Sequence, residues 1–393
     1  MMLTRRTWLA NSGAALLLGG GLGGLAGHSQ AQTAPRAAAA AGARTVVLGQ
    51  SVPLTGAASE IGLAFAAGAR LYATEFNESN AASGLQLKLV QLDDGYDATR
   101  AATNARTLLD THKADMLFGF VGTASSDAGA AVAAKQGSVL FAPFAAADNL
   151  RSAAHPNVFH VRPSMADEAF KIVRQCETVG QTRIALIGDD DAMGRAGLAA
   201  VQQAMTELKL APLVASALVP ASGDKLEAAL AAVQKQSPQA IVLVSLSSTT
   251  ADVIRRLRKT GYAGSFTAFS IVGIDPLFAE LGKDIGGIVI SQVVPSPRPS
   301  AIPIVKEYLA AIESSDQAPS YEGLEGFIAT KAAAEAVRRG GGKAGTPATL
   351  QRAMAGMTDY DVGGFRINLR PGLRDPGRSI DLISITKEGR ILR

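Results

Sequence analysis

"LFGFVGTASSDAG", Leu117 to Gly129, reads as a buried strand running into a tight turn and a helix. The apolar run stops at Gly119, small polar residues follow, and a helix-like segment opens near Ser125. Two explanations fit Gly122, Thr123, Ala124, Ser125 and Ser126 at the end of such a strand. One is a nucleophile; the other is a cradle of backbone N–H groups and hydroxyls around a small ligand.

The same unit recurs along the chain. "TVVLGQ" (45 to 50) precedes an amphipathic stretch from Glu60 to Asn77, and "LQLKLVQLDD" (85 to 94) precedes a helical pattern from Ala98 to Leu109. "DMLFGF" (115 to 120), "SVLFAP" (138 to 143), "RIALIGDD" (183 to 190), "QAIVLVS" (239 to 245), "GSFTAFS" (264 to 270) and "GIVISQV" (287 to 293) continue the series. Strands that are apolar without alternation, separated by helices, imply parallel sheets covered on both faces. The expected fold class is α/β, doubly wound and built twice over, because 393 residues exceed what one core accommodates. In such sheets ligands bind beyond the carboxyl ends of the strands, where these loops turn polar or glycine-rich.

The N-terminus reads as an address. "TRRTWLANSGAALLLGGGLGGLAGHSQA" has a basic start, a glycine-interrupted apolar stretch from Ala14 to Ala26 and a small-residue site at Ser29-Gln30-Ala31, so cleavage is expected after Ala31. Arg5 and Arg6, with Trp8 and Leu9 after them, look like a twin-arginine export signal, and no Cys follows to carry a lipid anchor. An Ala-rich linker, 32 to 43, comes next. Removing the signal takes two arginines and no acid, so the formal charge falls from +4 to +2. No Lys/Arg cluster is interleaved with aromatics, which argues against nucleic acid. "RRLRK", Arg255 to Lys259, is better read as the outer face of an amphipathic helix, and Cys176, the single cysteine, as a small buried residue.

Catalytic readings are weak. After signal removal only His112, His155 and His160 remain as bases, and no G-x-S-x-G elbow surrounds Ser125 or Ser126, whose plainer role is capping the following helix. "RRGGGKAGTP" has Val337 where a phosphate loop needs glycine and Ala344 where it needs Ser/Thr, so it reads as a helix end and a turn. Asp189, Asp190 and Asp191 lack oxygen-ligand spacing and read as a solvated turn; no metal and no cofactor are expected. What remains is the cradle, supported by a second small-residue loop, "APFAAADN", after the next strand.

In this order the segments resemble a known family. "PLTGAASEIGLAFAAGARLY", "DDGYDATRAATNARTLL", "FGFVGTASSDAGAAVAAKQGSVLFAPFAA", "RIALIGDDDAMGRAGLAAVQQAM" and "SYEGLEGFIATKAAAEAVRR" are together similar to the periplasmic substrate-binding proteins of ABC importers, specifically the branched-chain amino acid receptors of the type I fold. The resemblance implies two doubly wound lobes joined by a three-strand hinge. Lobe 1 would comprise about 44–162 and 296–369, and lobe 2 about 163–295 and 370–393.

It also implies site residues. Thr123, with Gly122 and Ala124, would hold a ligand carboxylate, and Phe144, Ala145 and Ala146 would offer backbone contacts. Ile61, beside Glu60, falls where a capping aromatic is common, Met193 where a tyrosine is common, and Ser247 near another cleft aromatic. The acid that usually pairs with an α-ammonium falls near Ser270. Glu60 is a candidate substitute, with helix capping as its alternative; a less polar carboxylate fits the remaining residues at least as well.

The implied function is a monomeric periplasmic receptor that traps a small amino acid or organic carboxylate and delivers it to an inner-membrane ABC permease. A sensory receptor read by a membrane partner and an exported hydrolase are the alternatives.

Overall fold

The computed structural model describes residues 44–81, 84–220, 224–342, 346–370 and 380–392. The expected signal and linker, 1 to 43, lie outside the described residues.

Apolar strands and intervening helices build two large sheets, beside a two-stranded one of β11 (Tyr360–Asp361) and β12 (Arg366–Ile367). The first is ordered β2 (Leu85–Asp93), β1 (Arg44–Val52), β3 (Met116–Phe118), β4 (Leu140–Phe141), β5 (Val158–Phe159), with every pairing parallel. The chain then crosses over and starts a second sheet, whose parallel part runs β7 (Ala215–Val219), β6 (Ile184–Asp189), β8 (Ala240–Val244), β9 (Ser265–Ala268), β10 (Ile288–Gln292). It returns after β10 and crosses once more before β13 (Asp381–Ile385). The eight anticipated strands are all present within these bounds.

The second sheet departs from the purely parallel expectation. β13 pairs antiparallel with β10, and β14 (Ile391–Leu392) antiparallel with β13. β13 thus runs opposite to β10, and an antiparallel edge needs no crossover helix.

Helices cover both faces, as buried parallel strands require. β8 is buried at every position, and the central strands of both sheets contribute Leu48, Phe118, Phe141, Ile187 and Leu243 to the core. Over the first sheet lie α1 (Ser59–Ser79) and α10 (Tyr321–Arg339), which touch backbone to backbone. A Cβ added at Gly68 would sit 1.8 Å from the Gly323 carbonyl oxygen, and one at Gly326 2.1 Å from that of Phe65. Glycine is what permits this approach.

Arg255, Arg256 and Arg258 lie on α7 (Ser247–Lys259) and pair outward with Glu280, Glu227 and the Asp284 carbonyl, while Leu257 faces the core. Cys176 is buried on α4 (Met165–Thr178), and burial pushes its thiol up to about 11.

Candidate functional site

The turn quoted at the outset is built by a sheet bond and a helix start. Gly122 donates its N–H to the Phe144 carbonyl, and α3 (Thr123–Lys135) begins at the next residue. Gly122 has φ +91° and an added Cβ would meet the Tyr96 ring at 2.5 Å, so glycine serves both backbone and packing. The helix starts two residues earlier than the sequence suggested. Ser125 and Ser126 therefore do not cap it: both are buried inside the first turn, and Ser126 Oγ donates to the Phe120 carbonyl. No side chain caps α3, so the first-turn N–H groups remain for another acceptor.

Gly122 and Thr123, at that helix start, line a small, partly enclosed cavity of about 10 Å³, room for one water. Its wall combines Gly122, Thr123, Phe144, Ala145 and Ala146, which follow strands of the first sheet, with Met193, Phe269 and Ile271, which follow strands of the second. Met165 and Glu168 of α4 and the crossover residue Arg162 complete it. A second recess of about 410 Å³ is lined by Glu60, Ile61, Ser247 and Ser248, with Pro276 and Glu280 among the others.

The candidate residues thus divide. Gly122, Thr123, Phe144, Ala145, Ala146 and Met193 converge on the small cavity, whereas Glu60, Ile61 and Ser247 line the larger recess. Glu60 lies exposed in the first turn of α1. Ala124 is exposed and lines neither space. Ser270 is buried and its N–H donates to Glu168 Oε2 at 3.0 Å. The reading of a cleft without an acid near Ser270 is thereby corrected, since a carboxylate reaches that serine from α4.

Sequence reasoning missed the charged heart of the site. Arg162 and Glu325 are 1% and 4% exposed, with Nε to Oε1 at 3.1 Å, an ion pair rather than a well-aligned hydrogen bond. The guanidinium carbon sits 4.2 Å from the Phe144 ring centre, and Nη2 donates to Ser270 Oγ at 3.0 Å. One side chain thus ties a loop of the first sheet to a loop of the second. The available signal was "SYEGLEG", two acids inside the apolar, small-residue first half of a helix; α10 buries every residue from Tyr321 to Thr330.

Burial raises Glu325 to about 7 in spite of Arg162, and raises Glu322 to about 7, with Asp275 and Glu325 adding repulsion. For Glu322 the ionised form is the one the fold disfavours. The penalty is absent below about pH 4.5, grows as pH rises to about 7, and is complete above it. Glu322→Gln should therefore stabilise the protein by roughly 2–3 kcal/mol at pH 8 and leave it nearly unchanged at pH 4. Urea unfolding at both pH values checks this; equal effects at both would exclude a titrating Glu322.

The acidic run after β6 is less solvated than expected. Asp191 caps α5 (Ala192–Glu207) by accepting from the Gly194 N–H, and Asp190 pairs with Arg195 at the surface. Asp189 instead turns inward to accept from the Leu246 N–H, and burial raises it to about 6. Among the described residues, no three His, Cys, Asp or Glu side chains are grouped to hold a metal, and no helix is long and apolar enough to cross a membrane.

The chain resembles solved structures along most of its length. A substrate-binding periplasmic protein from Ralstonia solanacearum is 28% identical, with a TM-score of 0.80 over 88% of this chain and 99% of that one. A possible leucine/isoleucine/valine-binding protein from Rhodopirellula baltica is 26% identical, with a TM-score of 0.81 over 90% and 97%. A branched-chain amino acid ABC transporter structure from Thermus thermophilus, with bound valine, shares the fold at 17% identity, a TM-score of 0.79 and coverage of 89% and 95%. A comparison with curated protein sequences finds no match. The family model described as periplasmic binding protein matches residues 45–389, and by that span the chain belongs to the periplasmic binding protein family.

Proposed function

We propose that the protein is a periplasmic solute receptor that traps a small amino acid or organic carboxylate between two lobes and delivers it to an inner-membrane ABC permease. Lobe 1 is assigned to about 44–162 and 296–369 and lobe 2 to about 163–295 and 370–393; residues 1–31 are assigned to a twin-arginine export signal. The observation that carries the reading is the uncapped start of α3, with Thr123, at a small, partly enclosed cavity walled from both sheets. Uncapped N–H groups and a hydroxyl suit a carboxylate, and a wall contributed by both sheets suits capture by hinge motion. Met165 and Met193 are the adaptable part of that wall. The name of the Rhodopirellula relative, a possible leucine/isoleucine/valine-binding protein, favours the same class of ligand.

A thermal-shift screen against amino acids and against aromatic and aliphatic carboxylates tests this. Ligand at a hundredfold excess over Kd stabilises by about 2.7 kcal/mol, a rise of several degrees. Thr123→Val should weaken the best hit about tenfold, because a hydrogen bond to a charged group is lost while shape is kept. A screen without any shift, or a variant that binds as well as the parent, would count against the assignment.

A further inference from the structure

We propose that closure of the two lobes is proton-linked: bringing the loop after β9 onto the start of α10 buries an excess of carboxylate, so the closed form takes up protons that the open form gives back, and acid strengthens capture. This rests on the receptor reading above and adds a regulation to it.

The boundary between the two large sheets holds more acid than base. Glu168, Glu322 and Glu325 are 1%, 6% and 4% exposed, and among the described residues Arg162 is the one buried Lys or Arg. Arg151, half-buried nearby, donates to the carbonyls of Ala146, Arg162 and Pro163. Buried charge in excess of its countercharge is costly, and protonation is the way a carboxylate escapes that cost.

Neither Glu322 nor Glu325 lines the small cavity or the larger recess. Their cover comes from elements on both sides of the hinge. A Cβ added at Gly273, in the loop between β9 and α8 (Ile274–Leu281), would lie 3.3 Å from Glu322 Oε1. Glu325 faces Arg162, whose Nη2 donates to Ser270 Oγ of the same loop at 3.0 Å. That loop belongs to the second sheet and α10 covers the first, so lobe opening draws the loop off the helix and admits water to both carboxyls.

The charged and titratable groups around the pair favour its protonation. Glu322 faces Asp275 of α8, Glu325 one turn along its own helix, Arg162 from the crossover and the Tyr308 hydroxyl from α9 (Pro303–Glu313); Asp275 in turn faces Arg298. Glu325 faces Arg162, Glu168 and Arg151. α1 meets this part of α10 through Gly68, which brings no charge. Burial is the largest influence on both acids and holds each up to about 7, against the 4.5 of a glutamate in water. The closed form therefore binds protons more tightly, is favoured below about pH 7, and loses that advantage as pH rises through 7. By reciprocity a ligand that closes the lobes draws protons in. One carboxyl moving between these values weakens capture about tenfold from pH 6 to pH 8.

Titration calorimetry in phosphate and in Tris at pH 7 tests the linkage, with L-valine, L-leucine, L-phenylalanine and 4-methylpentanoate as probes. The difference in apparent heat between the two buffers counts the protons taken up. The probe that binds tightest at pH 6 should take up about half a proton or more at pH 7, and bind at least about fivefold more weakly at pH 8. Glu322→Gln should roughly halve the uptake and bind the same probe at least about threefold more tightly than the parent at pH 8. Glu335→Gln removes an acid farther along α10 that is paired with Arg338 and Arg339, and should change neither.

Negligible uptake, with equal affinity at pH 6 and pH 8, would overturn the linkage and leave the receptor reading intact. Uptake that Glu322→Gln does not reduce would do the same, because the protons would then sit elsewhere. Binding of none of the four probes at pH 6, where capture is strongest, would count against the receptor reading and this inference together. The parent measurement needs no variant, so a Glu322→Gln protein that fails to fold does not shield the proposal.

Discussion

Replacing Arg162 with methionine should cost the folded protein about 3–5 kcal/mol at pH 8, the range for breaking a buried pair by removing one partner. The side chain is 1% exposed, so its removal leaves Glu325 buried without the guanidinium 3.1 Å away. Loss of the contact with Phe144 and of the bond to Ser270 Oγ adds to the cost. Acid should relieve part of it. Glu325 is already raised to about 7 with Arg162 present, so below that pH the orphaned carboxyl takes up a proton and its charge no longer needs a partner. The double variant Arg162→Met with Glu325→Leu should recover most of the stability, because an apolar pair replaces a buried ionic one with little loss. Urea unfolding of the three proteins at pH 5 and pH 8 decides the matter; a cost under about 1 kcal/mol for the single variant would mean that the pair is effectively solvated.

Gly68→Ala should destabilise by about 3 kcal/mol, against the direction of helix propensity. An alanine in a helix interior normally gains close to 1 kcal/mol over glycine. Here the added methyl would lie 1.8 Å from the Gly323 carbonyl oxygen, a backbone atom that moves only if α1 and α10 separate. Gly180 provides the contrast. Its φ is +76° and nothing stands within 4 Å of an added Cβ, so Gly180→Ala should cost only the 1–2 kcal/mol of a left-handed backbone. Melting curves of both variants separate contact from conformation. A stabilised Gly68→Ala would show that α1 and α10 do not pack backbone to backbone.

The fold was legible because buried parallel strands write continuous apolar runs, and "RIALIGDD" or "QAIVLVS" permit few other readings. β5 was missed because its two residues have no apolar run around them, unlike the equally short β4, and β7 because its half-exposed "ASALV" shows no clear period. Antiparallel β13 and β14 lie at a sheet edge after a crossing whose direction no local pattern records.

The site was legible on its first-sheet side, where turn chemistry is local: Gly122 and Thr123 announce themselves by standing between a strand and a helix. The charges were not, and of the opposite wall only Met193 was named, through the resemblance. Arg162, Glu168 and Glu325 come from a crossover and two helices, 163 positions separate the ion pair, and each alone looks like an ordinary surface residue. Only burial distinguishes them, and burial belongs to the assembled fold.

The contact of α1 with α10 also bears on the order in which the chain assembles. Gly68 and Gly323 meet although 254 residues of chain lie between them, whereas the parallel part of the second sheet is drawn from one continuous span, 184 to 292. During synthesis that span is complete before α10 exists, while the face of the first sheet that α10 covers stays open until nearly the whole chain has emerged. Closing so long a loop is entropically slow, and exposed apolar strands invite aggregation during the wait. The first sheet is therefore the part of the molecule that depends most on protection until its last helix arrives.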